Sequence, residues 1–534
     1  MGKIDAKFSY TRDYEENEAI GQKTNPIKAN FYPPQRIYPL VENVMHSKGA
    51  NPIYTGQRSR QICEKIPNSQ IYPLCIRSSG KYNMSIGRIY CVITYMIALR
   101  RPAMKKVSVF SPRSIVVIIT VLALVLSIAS SPVFALQAGT AKVDITPKKP
   151  VTMSGYGARK GLSTGVHDPL SARVIVFKNN GKRLVLVSSD LLGYYGGTAE
   201  DMRKDILNEF QLEPSELFLT AIHTHAGPTL TLDEENGHPN NLEYTKQLKG
   251  KLIKLIREGL SNFEPVRIGA GIGYSPVGSN RRQLVFDNSG NSSIRLGRNP
   301  YGPTDKEVLV VKITNQSGKT IAALFDYATH ATCLGGKNYT ISGDVIGLAE
   351  QFVEKILGED VIAAAFAGAS GNIDPWYRVL PGFNTEPGWI PEPVLLGTML
   401  GEEAIHVFRD IDELSDSGEI ATAFSALELP GKQRNETTIK KDTPASRFNV
   451  TAARVGDIAF IGLSGEVLTE IGMAIKAASP YKHTFVITHC NGAHGYLPPE
   501  HLYIEGGYEI TSSSFAPKAA DMVVKEAVKM LHEL

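Results

Sequence analysis

Short apolar runs that end in polar clusters recur along the second half of the chain. Lys182–Ser189 opens on two charged residues, turns apolar and stops at Asp190, the pattern of a short buried strand. After Thr198, residues Met202, Ile206 and Phe210 recur on one face and predict a helix, with Thr198 and Asp201 placed as a capping box. Residues 217–222 form the next strand, ending at His223-Thr224-His225, and 244–260 read as a helix. Residues 308–313 and Thr320–Tyr327 flank Asn315-Gln316-Ser317-Gly318-Lys319, which predicts a hairpin whose second strand leads to His330. Residues 361–367 end in a cluster that closes on Asp374. Ile458–Leu463 ends at Ser464-Gly465-Glu466 with a helix to Ala478 behind it, and 484–488 end at His489-Cys490-Asn491. Strands alternating with helices predict an α/β fold: a central, largely mixed sheet with helices on both faces. In such folds ligands sit beyond the carboxyl ends of strands, so these polar clusters are expected to meet at one rim. Residues 384–393 and 415–441, richer in Pro, Gly and charge, predict loops or a small insertion at about 380–445.

Composition narrows the class without deciding function. With 43% apolar and 21% charged residues in 534, a disordered, collagen-like or coiled-coil chain is excluded. The net charge of +4 is unevenly spread. Residues 1–103 hold 15 Lys and Arg against 7 Asp and Glu, 104–135 hold 3 basic residues and no acid, and 136–534 hold 39 basic and 46 acidic residues. The basic excess therefore belongs to the front. There, a basic stretch from Met104 to Arg113, an apolar run over 115–129 and Val133-Phe134-Ala135 describe a secretory signal peptide. Translation is expected to start at Met104, with 1–103 a non-native upstream extension, and cleavage after Ala135 would release 136–534 to the exterior or periplasm. The alternative is an uncleaved membrane anchor behind a cytoplasmic tail. No basic stripe interleaved with aromatics occurs in 136–534, so nucleic acid is not an expected partner. Only Cys333 and Cys490 fall in that part, too few for a disulfide scaffold. They either pair or remain buried thiols.

The candidate chemistry lies at the strand ends. In an extended strand i and i+2 share a face, so His223 and His225 can turn both imidazoles into one cleft. A zinc site and a hydrogen-bonded histidine pair are both open readings. His330 and Glu466 at other strand ends extend the set toward two histidines and a carboxylate, a familiar zinc arrangement with room for water. Taken singly, His330 fits a satisfied core histidine and Glu466 a helix N-terminal carboxylate. Gly368-Ala369-Ser370-Gly371-Asn372 and Gly462-Leu463-Ser464-Gly465-Glu466 both lack the last glycine of a nucleophile elbow. Gly269-Ala270-Gly271-Ile272-Gly273 lacks dinucleotide spacing and a Walker lysine, and reads as a strand and turn.

Taken together these segments resemble the neutral/alkaline non-lysosomal ceramidase family. The resemblance starts at Ala138-Gly139-Thr140-Ala141-Lys142-Val143-Asp144-Ile145-Thr146-Pro147. It continues through Met153-Ser154-Gly155-Tyr156-Gly157 and Gly165-Val166-His167-Asp168-Pro169-Leu170 and is most specific at Thr220-Ala221-Ile222-His223-Thr224-His225-Ala226-Gly227-Pro228. It implies one catalytic zinc per chain, held by His223, His330, Glu466 and Tyr496, with His225 and Arg281 near the substrate carbonyl. Tyr503 and Tyr508 lie near a further family tyrosine, and His167 joins them as a substrate-binding candidate. The implied partner is ceramide or another lipid-like acyl amide, met in transient contact with a membrane surface. The ceramidases carry a serine in a block like Gly-Asn/Asp-x-Ser-Pro. Here Gly371-Asn372-Ile373-Asp374-Pro375 puts Asp374 in its place. The implied activity is hydrolysis of an N-acyl amide by zinc-activated water, with Asp374 moving the proton. The alternatives are another amide or ester substrate on the same scaffold, and a non-catalytic binding domain. The C-terminal part is shorter than in the ceramidases, so their immunoglobulin-like domain is not expected.

Overall fold

A computed structural model describes residues 135–358, 360–376, 392–433 and 445–534. The signal peptide and the upstream extension expected before residue 135 lie outside the described residues. In chain order the elements begin with β1 (Gln137–Asp144), β2 (Gly165–Val166), β3 (Ser171–Asn179), β4 (Lys182–Ser189), α1 (Thr198–Phe210), β5 (Leu217–Ala221), α2 (Pro239–Ser261) and β6 (Glu264–Tyr274). Next come β7 (Gly278–Phe286), β8 (Ser292–Asn299), β9 (Glu307–Asn315), β10 (Thr320–Tyr327), β11 (Thr340–Ile341), α3 (Asp344–Leu357), β12 (Ile362–Ala367), β13 (Ile373–Pro375) and α4 (Glu392–Asp410). The chain closes with β14 (Ile420–Leu429), β15 (Ser446–Val455), β16 (Ile458–Leu463), β17 (Glu466–Val467), α5 (Thr469–Ala478), β18 (His483–Ile487), β19 (Tyr496–Leu497), α6 (Tyr508–Ser512) and α7 (Ala519–Glu533).

Eight strands build one mixed sheet in the order β12-β10-β9-β6-β1-β3-β4-β5, with parallel pairs at its two ends, β10 with β12 and β4 with β5. A second sheet, β14-β15-β16-β18, packs on one face of the first. The strands facing both ways explain why they read as unbroken apolar runs. In β3, Ile175 and Phe177 point into the layer between the sheets, while Val174 and Val176 point to α1 and α2. Phe218, Phe366, Phe460 and Phe485 fill the inter-sheet layer, each contributing roughly 1.5–3 kcal/mol by burial. Helices α3 and α4 cover the β9, β10 and β12 side of the large sheet, and α5 and α7 cover the outer face of the small one. The expected mixed α/β architecture is thus present, with helices on both outer faces of a two-sheet stack. Arg173, fully buried on β3, pins α3 to the sheet through Glu350 (2.6 Å), Glu354 (2.8 Å) and Asp190 (3.3 Å).

Several local expectations change. Helix α1 is not closed by a capping box: Gly197 is the N-cap and Thr198 bonds back to Tyr195 O. Helix α2 starts at Pro239, five residues before its apolar periodicity, because Pro suits the first turn and His238 accepts from Asn240 N. The glycine run 269–273 does not turn; it stays in β6, where Gly271 and Gly273 make room for α4 and Gly269 for the segment just after it. A Cβ on Gly269 would lie 2.3 Å from Glu413 O. The described part of the stretch about 380–445 carries two regular elements. Helix α4 packs on α3 and β6, and β14 pairs with β15 along its whole length. Their loop-rich flanks masked both elements in the composition. No disulfide joins Cys333 and Cys490, and burial pushes the Cys490 thiol well up.

Candidate functional site

The ends of β5, β10, β12, β16 and β18 are laced together by backbone bonds. His225 N donates to Ala331 O, His330 N to Ile373 O, Gly371 N to Val467 O, and Asn491 N to Leu219 O. This lacing brings His223, His225 and His330 together, their ligand atoms all within 4.8 Å of one another. Glu466 joins them, its Oε2 3.5 Å from both His223 Nε2 and His330 Nε2.

The ring orientations are set from behind. His223 Nδ1 lies 2.7 Å from Leu192 O, and His330 Nδ1 lies 2.8 Å from Ser370 O. A carbonyl only accepts, so each Nδ1 carries the proton and each Nε2 turns a lone pair inward. Glu466 Oε2 is buried without a hydrogen-bond partner. Burial opposes ionisation of Glu466, but the electrostatic pull of His223 and its neighbours outweighs it and holds the carboxyl well below its usual range. Burial first, then Arg281, lowers the His330 pKa. Two inward lone pairs and one bare carboxylate oxygen are a donor set suited to a cation.

His225 Nε2 sits 3.2 Å from His223 Nε2. Because the latter is the acceptor, His225 must present its proton there. The ring of Tyr156 meets His225 edge-on, and Gly155, at φ 98°, leaves room for it: a Cβ there would come within 2.5 Å of the imidazole. Arg159 steadies the same strand end through Ser154 O, His225 O and Gly335 O.

Arg281, on β7, uses all five N–H groups. Nε donates to Glu509 (2.8 Å), Nη1 faces Asp374 (3.2 Å) and His330 Nε2 (3.4 Å), and Nη2 donates to Gly371 O (2.7 Å) and the Tyr496 hydroxyl (3.2 Å). Tyr496 is held beside Glu466 by the pairing of β17 with β19. Burial, then the charge of Glu466, raises its phenol pKa well above the ordinary value. Asp374, on β13, pairs with β7 opposite Ser279 and is almost fully buried.

Of the candidates, His223, His225, His330, Glu466, Tyr496, Arg281 and Asp374 therefore converge. Tyr508 reaches them too, edge-on to Tyr496 and under the Arg281 guanidinium. Tyr503 spends its hydroxyl on Phe515 O, and His167 pairs its Nδ1 with Asp168 at 2.7 Å. Those polar contacts of both lie away from the cluster, though the Tyr503 ring packs on the small apolar group that includes Tyr496. Sequence reasoning missed Tyr195, whose hydroxyl donates to Glu466 Oε1 at 3.2 Å, as well as Arg159 and Glu509. It noted His489 only as the start of a strand-end loop. The ring of His489 stacks on His223, and burial, then His223, holds its pKa well below the usual value.

A mixed α/β stack with histidines and one bare carboxylate oxygen converging at its strand ends defines the class. Comparison with known proteins shows which family the chain resembles. Residues 136–375 match the family model described as neutral/alkaline non-lysosomal ceramidase, N-terminal. Neutral ceramidase 1 of Arabidopsis thaliana is 28% identical over 229 residues, which is 40% of this chain and 28% of that protein. Neutral ceramidase of Mycobacterium tuberculosis is 26% identical over 250 residues, 42% of this chain and 37% of that one. The matched stretch thus spans about a third of these relatives. The crystal structure of neutral ceramidase from Pseudomonas aeruginosa shares the fold with a TM-score of 0.62 at 19% identity, covering 75% of each chain. Over residues 136–375 this chain is thus similar to the neutral/alkaline non-lysosomal ceramidase family.

Proposed function

We propose that the chain is a zinc-dependent amidohydrolase of the ceramidase type, which cleaves the N-acyl amide bond of ceramide. One observation carries this reading: the buried, unpartnered Glu466 Oε2 faces two Nε2 atoms whose lone pairs point at it. His223, His330 and Glu466, with Tyr496 beside them, would hold the metal. Zinc bound there supplies Lewis acidity, polarising a carbonyl and making water acidic enough to ionise at a pH of about 7. His225 presents an Nε2–H toward the same space and is placed to donate to the carbonyl oxygen as negative charge develops. Arg281 faces His330 Nε2 with one Nη1–H, and that donor becomes available to substrate once the ring nitrogen is otherwise engaged. Asp374 is the carboxylate positioned to accept a proton from water and return it to the leaving amine.

Asp374 in the serine position favours a second reading, the same chemistry on another acyl amide or ester. Release of fatty acid from ceramide, measured beside short N-acyl and acyl-ester substrates, separates the two. Asp374→Asn is expected to cut turnover by orders of magnitude while zinc content holds. His223→Ala with His330→Ala is expected to abolish bound zinc. Metal analysis of the wild type showing no zinc would end the proposal, and unchanged turnover in Asp374→Asn would remove the proton-carrier role.

Contact with a lipid surface belongs to the same proposal. Leu284 and Phe286 on β7 and Ile504 nearby are exposed, on the side of the molecule that carries Tyr508. Export rests on the pattern of residues 104–135.

A further inference from the structure

His489 has no part in the chemistry above, yet its ring is 1% exposed and lies against His223 with centroids 3.8 Å apart and planes 13° apart. The other rings meet His223 edge-on: His225 at 82° and His330 at 76°. Hydrogen bonding does not account for this placement, because the buried His489 Nδ1 has no partner among the described residues. Backbone comfort does not account for it either. His489 and His223 both adopt left-handed φ values, 51° and 62°. Such a backbone is strained for a residue with a Cβ and persists only where the surroundings enforce it. The enforcement is visible at Asn491, itself at φ 59°. Its side chain accepts from Leu219 N and donates to Leu217 O and Thr451 Oγ1, locking the segment after β18 to β5. Two strained residues on two strand ends are thereby made to present their ring faces to each other.

A ring that gives its Nε2 lone pair to a cation becomes electron-poor, and an aromatic face beside it is drawn toward that positive charge. A face stacked on an empty imidazole gains less. The geometry points to His489 as a positioning residue that holds His223 through its ring face and favours the cation-loaded site over the empty one. This rests on the metal reading of the cluster and adds a residue to it that makes no bond to the metal.

Zinc affinity of the purified full chain, measured by competition with a chromophoric chelator, tests the inference. The variants are His489→Phe, His489→Leu and His489→Asn, and the thermal stability of each metal-free protein is measured alongside. Phe keeps a face without nitrogens. Leu fills the space without a face and bears the same left-handed backbone, so the pair isolates the face. Asn accepts that backbone readily and remains informative if Leu fails to fold. The expected result is affinity near wild type for Phe and roughly three- to tenfold weaker binding for Leu and Asn, beyond any change in metal-free stability. Binding as tight as wild type in Asn, or a loss in Phe equal to that in Leu, overturns the role of His489 alone. A wild type that takes up no zinc overturns the metal reading and this inference together.

Discussion

Glu509 is one buried carboxylate shared by two buried arginines. Its Oε1 accepts from Arg281 Nε at 2.8 Å and its Oε2 from Arg282 Nη1 at 2.9 Å. Removing one partner of such a pair leaves uncompensated buried charge, typically at a cost of about 3–5 kcal/mol. Glu509→Gln keeps the shape and removes the charge. Chemical denaturation is expected to show a loss of that order, and a change below about 1 kcal/mol would mean that Asp374 and Glu505 carry the arginines by themselves. Glu509 also shows why part of the site could not be read from the sequence. His223, His330, Asp374 and Glu466 each follow a short apolar run, so the run itself points to them. Glu509 opens a five-residue helix and meets its arginines 228 and 227 positions away. Tyr195 reaches Glu466 across 271 positions. Neither has any local periodicity to mark it, and only the closed fold supplies the partner.

Among the elements, β10 carries a charge that its environment resists. Asp326 is fully buried, and burial, with Asp305 and Glu307 nearby, pushes its carboxyl up to about 7 against the pull of Lys476. The folded form therefore holds its proton more tightly than the unfolded chain, whose carboxyl ionises near 3.8. Below that pH both states are protonated and nothing is lost. As pH rises toward 7 the unfolded chain releases its proton first, and stability falls by roughly 4 kcal/mol at most, after which the penalty is constant. Asp326→Asn does not titrate, and its amide oxygen can still accept from Leu309 N as Asp326 does. Lys476 keeps Asp305 at 3.0 Å and Glu307 at 3.1 Å. Urea unfolding is expected to show the variant more stable than wild type at pH 8 and about equal at pH 4; the same difference at both pH values would refute the assignment. Strands such as β10 were legible because an apolar run bounded by polar clusters can hardly be anything else. Helix α2 was legible only from Tyr244 onward, because its first turn, Pro239 to Asn241, is held by capping chemistry rather than by an apolar face. Strand β14 was illegible because most of its residues are only half-buried and the charged residues around it dilute the pattern.

At the scale of the whole molecule, β7 carries Arg281 into the site and exposed apolar residues at its far end. In the β7–β8 hairpin, Leu284 faces Ile294 and Arg282 faces Leu296, so one face of the ribbon is largely apolar. The segment before α6 lies on it: a Cβ on Gly507 would sit 3.0 Å from Ile294, and Arg282 donates to Gly506 O at 2.8 Å. Beyond that cover, Phe286 is 68% and Ile504 94% exposed, while Tyr508 leads inward to Tyr496 and Arg281. Under the proposed function a water-insoluble acyl amide would be met at a lipid surface, and this side offers exposed apolar residues for that contact. The electrostatics set what kind of surface. Residues 136–534 carry 39 basic and 46 acidic side chains, so the proposed docking is not expected to rest on attraction to anionic lipid. Binding to zwitterionic phosphatidylcholine vesicles should then be insensitive to salt, since screening acts on charge and not on apolar burial. Burying a large apolar side chain is worth roughly 1.5–3 kcal/mol, so Leu284→Ser, Phe286→Ser and Ile504→Ser combined should weaken vesicle binding at least about tenfold. The same variant should hydrolyse a soluble short N-acyl substrate at the wild-type rate, because none of the three side chains contacts the histidine cluster. Vesicle sedimentation at low and high salt, paired with that soluble assay, separates the outcomes. Unchanged vesicle binding would remove this side as the docking surface, and a fall in soluble turnover would place the three residues in the site itself.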